Sequence, residues 1–354
     1  MDNNKFFVQY NRSDIDALVS ERPGETKLGE LISVPGEETL DTFLEKTLAS
    51  FVVIGIAEDI GIVANYGRPG SSNTWNLFLR SFLNIQANSF TKPGMVAIAG
   101  YFSFDTIKDG ISSADNPDEM IVKYRDAVAT IDEVVAELIQ RVVSHGKIPI
   151  VVGGGHNNCF PLIKGTALAL RSRKGINCIN LDAHLDFRIS EGRHSGNGFR
   201  YAKDGGFLNR YFVIGVHENH LNESIVKEIR HRKDVDFTTY EDIFIHRKKN
   251  WRKALKTAVK FVGEKITGLE LDLDSISNVP SSAMTPCGTT TREALQYIDH
   301  ITAHCDVAYL HICEGIATAD NSVGKLVAYL ASQFVKSFKN EVVVRRKHLA
   351  RLKK

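Results

Sequence analysis

The fold turns on the stretch Ile176-Asn-Cys-Ile-Asn-Leu-Asp-Ala-His-Leu-Asp-Phe-Arg188. Its first half is a mostly apolar run of strand length, and Asp182, His184 and Asp186 follow at alternating positions. Side chains two apart on an extended segment point the same way, so all three converge at a strand's end. Two carboxylates and an imidazole facing one point repel one another and lose hydration unless a cation offsets them. A solvated turn tolerates the same residues, so the decision rests on the rest of the chain.

Working outward, apolar runs alternate with amphipathic ones. Strands are expected at Phe51–Ala57, 95–99, Ile148–Val152, Ile176–Leu181, 211–216, near Asp236, at 268–273 and at Val307–Cys313. Continuous apolar runs of this length mark strands buried on both faces. Between them, helical periodicity is expected at 72–82 with Ser72 as N-cap, at about 119–145, from the turn after Val152 to about Arg171, and at 222–232, 250–264, 290–304 and 321–338. Eight strands alternating with helices argue a single three-layer α/β/α domain with a mostly parallel eight-stranded sheet. The domain is expected over residues 51–338, after an N-terminal extension (1–50) and before a basic tail (339–354). No internal repeat or low-complexity linker interrupts it.

Composition excludes several classes. Of 354 residues, 43% are hydrophobic and 24% charged, and the net charge of +2 gives no reason to expect nucleic acid or an anionic membrane as partner. No apolar run approaches a membrane span, and the first residues lack a basic-then-apolar leader. Five cysteines occur in no CxxC pattern, and Cys159, Cys178 and Cys313 lie in or beside apolar runs as small buried thiols would. A cytoplasmic location fits best. Assembly into a homo-oligomer is left open.

Two further stretches supply ligand-type residues. Asp272 and Asp274 stand two apart at the carboxyl end of the 268–273 strand, and His156 follows Gly153-Gly154-Gly155 at the end of Ile148–Val152. Ligand sites of open parallel sheets collect outside the carboxyl ends of strands. The glycine turn matches neither GxGxxG nor a P-loop, so it is no phosphate signature. Three strand ends bring six residues, four carboxylates and two imidazoles. Hard oxygen donors with some nitrogen suit a pair of divalent ions and favour manganese over thiolate-preferring metals. Two adjacent ions can share a water and make it acidic enough to ionise near neutrality.

Taken together, Gly153-Gly154-Gly155-His156, Asp182-Ala183-His184-Leu185-Asp186 and Asp272-Leu273-Asp274 resemble the ureohydrolases, the group of arginase, agmatinase and formimidoylglutamase. The resemblance spans residues 51–338. It implies an α/β/α sandwich and two manganese ions, with His156 and Asp186 on one, His184 and Asp274 on the other, and Asp182 and Asp272 bridging. Gly155 stands where arginases and agmatinases usually carry aspartate. Together with Arg188 after the second motif, this makes the chain most similar to formimidoylglutamases, which hydrolyse N-formimidoyl-glutamate to glutamate and formamide.

The same resemblance assigns Glu314, after Val307–Cys313, to the cationic amidine or guanidine of a small-molecule substrate. The segment 193–200 is similar to a substrate loop, offering Ser195, Asn197 and Arg200 beside Arg188, with Arg68 on an earlier loop. Arg188 or Arg200 taken alone would more readily sit in a surface ion pair. His194 and Asp274 are the candidates for passing a proton to the leaving nitrogen. Ser195-Gly196-Asn197 also resembles the arginase loop that holds amino-acid groups, so a urea-releasing activity stays open. So do a non-catalytic metal-bound protein and a single-zinc amidohydrolase, the last disfavoured by the second ligand set. Residues 275–286 depart from the family pattern and remodel the loop after Asp274.

Overall fold

The computed structural model describes residues 3–111 and 116–338. The basic tail expected at 339–354 lies outside the described residues. All eight expected strands form, and a ninth joins them. In chain order they are β1 (Phe7–Gln9), β2 (Phe51–Ala57), β3 (Val96–Ser103), β4 (Ile148–Val152), β5 (Ile176–Leu181), β6 (Leu208–Val216), β7 (Val235–Thr239), β8 (Thr267–Asp272) and β9 (Val307–Cys313). They make one sheet in the order β1-β3-β2-β4-β9-β8-β5-β6-β7. Every pairing is parallel except β1 on β3.

The extra strand corrects the eight-strand expectation. It comes from the segment expected as an extension, where three residues carry no periodicity to read. That segment also packs inward: Tyr10, Ile15, Leu28 and Ile32 join one core, and Phe6, Leu40, Phe43 and Leu44 the other.

Seven helices of eight or more residues are described: α1 (Thr74–Leu83), α2 (Pro117–Ser144), α3 (Cys159–Ala169), α4 (Glu223–Arg230), α5 (Trp251–Val262), α6 (Thr291–His304) and α7 (Val323–Ser337). Buried residues of α1, α5, α6 and α7 share a core with Phe51, Val53, Leu310 and Ile312. Those of α2 and α3 share the other with Val52, Ile54, Ile56 and Ala308. Successive strand residues thus feed opposite faces, which is why these strands read as unbroken apolar runs. Ser72 does not cap α1. A short turn over Ser71–Asn73 precedes the helix, and the Ser72 hydroxyl donates to Asp59 Oδ2 instead.

Four central strands, β4-β9-β8-β5, run side by side in the same direction, so their carboxyl ends share one edge. The chain leaves β4, returns as β5 three places away, and fills the gap later with β8 and β9. That break in strand order is where a parallel sheet opens a crevice.

Candidate metal centre

Each of the four central strands ends in chemistry. After β4, Gly153 and Gly154 adopt left-handed conformations (φ 94° and 74°) that other residues resist. Gly155 has an ordinary φ and is small for another reason: a Cβ there would lie 2.5 Å from Asn157 Oδ1 and 2.9 Å from Ile62 Cγ1. The buried Glu58 carboxylate holds this turn, accepting from the backbone N–H groups of Gly155 (3.0 Å) and Gly61 (3.1 Å) and from Asn158 Nδ2 (2.6 Å). The turn delivers His156 with no exposed surface.

Convergence after β5 does not come from strand pleating. The strand stops at Leu181 and the chain bends, with Asp186 in a left-handed conformation (φ 45°) that returns its carboxylate to His156. Asp182 is fixed at both oxygens, Oδ2 by Asn180 Nδ2 (2.8 Å) and Oδ1 by the His184 N–H (2.6 Å). After β8, a 3-10 turn over Leu273–Ser275 lets Asp272 Oδ1 accept the Asp274 N–H (2.8 Å).

His156 Nδ1 lies 3.2 Å from Asp182 Oδ2, 2.9 Å from Asp186 Oδ2 and 3.2 Å from Asp272 Oδ2. One ring nitrogen carries at most one hydrogen, so it cannot answer three carboxylates. Among the described residues neither His156 nitrogen makes a well-formed hydrogen bond. His184 Nδ1 lies 2.9 Å from Asp274 Oδ2 and 3.6 Å from Asp182 Oδ1. Ligand atoms gather as His156, Asp182, Asp186 and Asp272, and as Asp182, His184 and Asp274. Asp182 reaches both groups, one oxygen to each. Asp272, also expected to bridge, reaches only the first.

The charges match a cation-shaped deficit. Burial pushes Asp272 well above the carboxylate range, and the neighbouring charges of Asp274 and Asp182 add to it. Burial, then Asp182, lifts Asp186 to about 6. Burial works to raise Asp182 too, yet the His156 and His184 rings hold it below its ordinary value. Cys313 is kept a neutral thiol by burial. Buried carboxylate oxygens and imidazole nitrogens with no lysine or arginine in either group fit divalent ions of hard preference.

Behind His156 stands an array that the sequence reading missed. Glu270 Oε2 lies 3.5 Å from His156 Nε2 and accepts from His311 Nδ1 (2.6 Å), while Glu270 Oε1 accepts from the Tyr309 hydroxyl (2.7 Å). Glu270 and His311 are register partners on β8 and β9, both fully buried. The position of His311 keeps Glu270 down at about 2 against the opposing effect of burial. A carboxylate behind a ligand histidine orients the ring. The signal was present: both interrupt otherwise apolar buried strands.

The two groups open into a cavity of about 750 Å³ whose wall includes Asp272, Asp274, Glu314, Ser282, Asn65, Arg188, Ser195 and His220. Glu314, at φ 64°, is buried and doubly held, Oε1 by the His156 N–H (2.7 Å) and Oε2 by the Ser282 hydroxyl. Burial raises it to about 8, against the pull of both donors. Ser282 comes from the remodelled loop, whose Ser281 bridges to Gly315. Arg188 stands exposed at the mouth, its fork on Asn65 Oδ1 (3.1 Å) and Glu191 Oε1 (2.7 Å), and Asn65 donates to the Ser195 hydroxyl (3.2 Å).

Four expected substrate or proton contacts do not line this cavity. Arg200 forks onto both Glu228 oxygens (2.6 Å each) and stacks over Phe187. Asn197 is spent inside its loop, accepting from Arg193 Nη1 (2.6 Å) and donating to the Gly192 carbonyl (2.7 Å). Arg68 is exposed away from the wall. His194 is fully buried beneath the loop, with Nδ1 accepting from the Gly196 N–H (3.1 Å) and Nε2 on Glu191 (3.3 Å).

Burial, then the Arg188 and Arg125 charges, depress His194 to about 4. Between pH 6.5 and 4 the unfolded chain therefore binds a proton that the folded one refuses, so stability falls with falling pH in that window. The difference between urea melts of the wild type and of His194→Asn, which keeps an acceptor near Nδ1, should show this slope, since the raised Asp186 and Asp272 act in the opposite sense in both proteins.

Comparison with known proteins agrees with the geometry. A formimidoylglutamase of Streptococcus pyogenes serotype M3 is 23% identical over 295 residues, covering 80% of this chain and 82% of the relative. The crystal structure of Trypanosoma cruzi formiminoglutamase with Mn2+ superposes with a TM-score of 0.68 at 22% identity, covering 89% and 98% of the two chains. Bacillus subtilis formimidoylglutamase gives 0.66 at 16%, covering 90% and 93%. The arginase family profile matches residues 50–338, a span that contains the ends of all four central strands. The chain therefore belongs to the arginase family, hydrolases of C–N bonds in amidino groups.

Proposed function

We propose that this protein hydrolyses N-formimidoyl-glutamate to glutamate and formamide with two manganese ions. The observation that carries the reading is the pair of ligand groups joined through Asp182, on one cavity wall with Glu314 and with Arg188 at its mouth. His156, Asp182, Asp186 and Asp272 would hold one ion, and Asp182, His184 and Asp274 the other. When bound, the ions supply Lewis-acid activation of water and charge stabilisation.

The chain's own residues do the rest. Glu314, oriented by Ser282 and the His156 N–H, pairs with the planar amidinium and sets its carbon over the ligand groups. Arg188, backed by Asn65, and the Ser195 hydroxyl meet the glutamate end at the mouth. Asp274 Oδ1 has no hydrogen-bond partner among the described residues and is placed to carry a proton to the departing amine. Attack by water's oxygen at the formimidoyl carbon, with cleavage to the substituted nitrogen, leaves formamide and the free amine.

The test is product analysis on manganese-loaded protein offered N-formimidoyl-glutamate, arginine, agmatine and other guanidino acids. Formamide and glutamate from the first alone supports the reading; urea from a guanidino compound overturns the substrate and keeps the centre. Arg188→Ala should raise KM about tenfold or more with kcat little changed, the pattern of a lost uniform binding contact.

A further inference from the structure

One histidine pair next to the centre has no part in that mechanism. His217-Glu-Asn-His220 follows β6 directly, beside β5. The His220 ring lies face to face with His184, centroids 4.4 Å apart and planes 7° from parallel. His217 backs His220 at 5.0 Å, and Tyr240 backs His217 at 4.9 Å. The stack is tied to the ligand's own backbone: the Ala183 carbonyl, one residue before His184, accepts from His220 Nδ1 (3.1 Å) and from the His217 N–H (3.0 Å).

The two candidate ligand rings are supported unequally. His156 is enclosed, with the Phe199 edge at 5.1 Å and Glu270 behind it. His184 keeps 31% of its side chain exposed, and among the described residues its ring nitrogens meet no carboxylate besides Asp182 and Asp274, so none stands behind it as Glu270 stands behind His156. Among the described residues its one ring partner is His220. An imidazole ligand that can rotate loses the directionality of its lone pair, and outer residues that fix it normally matter about 10–100-fold in metal affinity.

We infer that His220 is a positioning residue: its ring fixes the plane of His184 and thereby shapes the Asp182–His184–Asp274 site. This rests on the two-ion reading above. The test is manganese titration, following free Mn2+ by electron paramagnetic resonance, on the wild type, His220→Ala and His220→Phe. Two equivalents are expected for the wild type. His220→Ala should weaken one of them about 10–100-fold while the other binds as before, which also shows the variant folded. His220→Phe keeps a flat ring against His184 and should recover most of the loss. Two unaltered equivalents in His220→Ala, with only KM changed, would make His220 a substrate contact and overturn the inference. So would a Phe variant as weak as the Ala variant. A wild type that binds fewer than two ions defeats the two-ion reading itself, a separate result.

Discussion

Asp182→Ala should lose at least one of two manganese equivalents and reduce kcat/KM by on the order of 10³-fold, the scale of losing a preorganised electrostatic element. Asp182 is the one residue with an oxygen in each ligand group, so no other single change opens both. It is also the carboxylate that His156 and His184 hold ionised against its burial, whereas Asp186 and Asp272 are driven toward neutrality. Thermal melts give an independent readout. A ligand that binds only the folded state at a hundred times its Kd stabilises by about 2.7 kcal/mol. The wild type should gain this on adding manganese, and Asp182→Ala should gain much less. Full turnover in Asp182→Ala with two ions bound would end the binuclear reading.

Glu314→Gln should leave two manganese equivalents in place and lower kcat/KM on the order of 10²-fold, the value of hydrogen bonds to a charged partner. The amide keeps the size of the side chain and an acceptor for the His156 N–H or the Ser282 hydroxyl, so the turn stays built. What it removes is the ability to ionise opposite a cationic substrate, whose charge would offset the burial that holds Glu314 near 8. Steady-state kinetics with N-formimidoyl-glutamate, beside metal analysis, separates this from loss of ions. A variant with unchanged kcat/KM would show that Glu314 serves the loop and not the substrate.

The sheet and the ligand set were legible in the sequence for one reason: buried parallel strands leave continuous apolar runs, and each run ended in residues with no business in a core. That is how Asp182, His184, Asp186, Asp272, Asp274 and His156 were found together. The route by which they meet was not legible. Alternation predicted a shared strand face, whereas Asp186 arrives through a left-handed turn that no propensity announces. β1 was invisible because three residues on an edge bury too little to leave a pattern.

The substrate side was read less well. Arg200, Asn197 and His194 were expected near the cavity from the likeness of their segment to a substrate loop, but side chains choose partners from what packs around them. Glu228, Arg193 and Glu191 took them. Glu270 and His311 were passed over although each breaks an apolar strand, because their pairing becomes visible only once β8 and β9 are side by side.

The late filling of the gap between β4 and β5 bears on how the protein is made. A growing chain emerges from its N-terminus, and β8 and β9 are the last strands to appear. Until they do, the sheet's two halves, β1–β4 and β5–β7, have no shared edge, and β4 and β5 each offer a bare hydrogen-bonding side to any other extended chain. His156 and Asp182 are then already synthesised, but on the proposed two-ion reading each ligand group stays incomplete until Asp272 and Asp274 have been made. The last two strands therefore close the sheet and complete the candidate centre together, so C-terminally truncated chains are expected to lose metal binding and to aggregate.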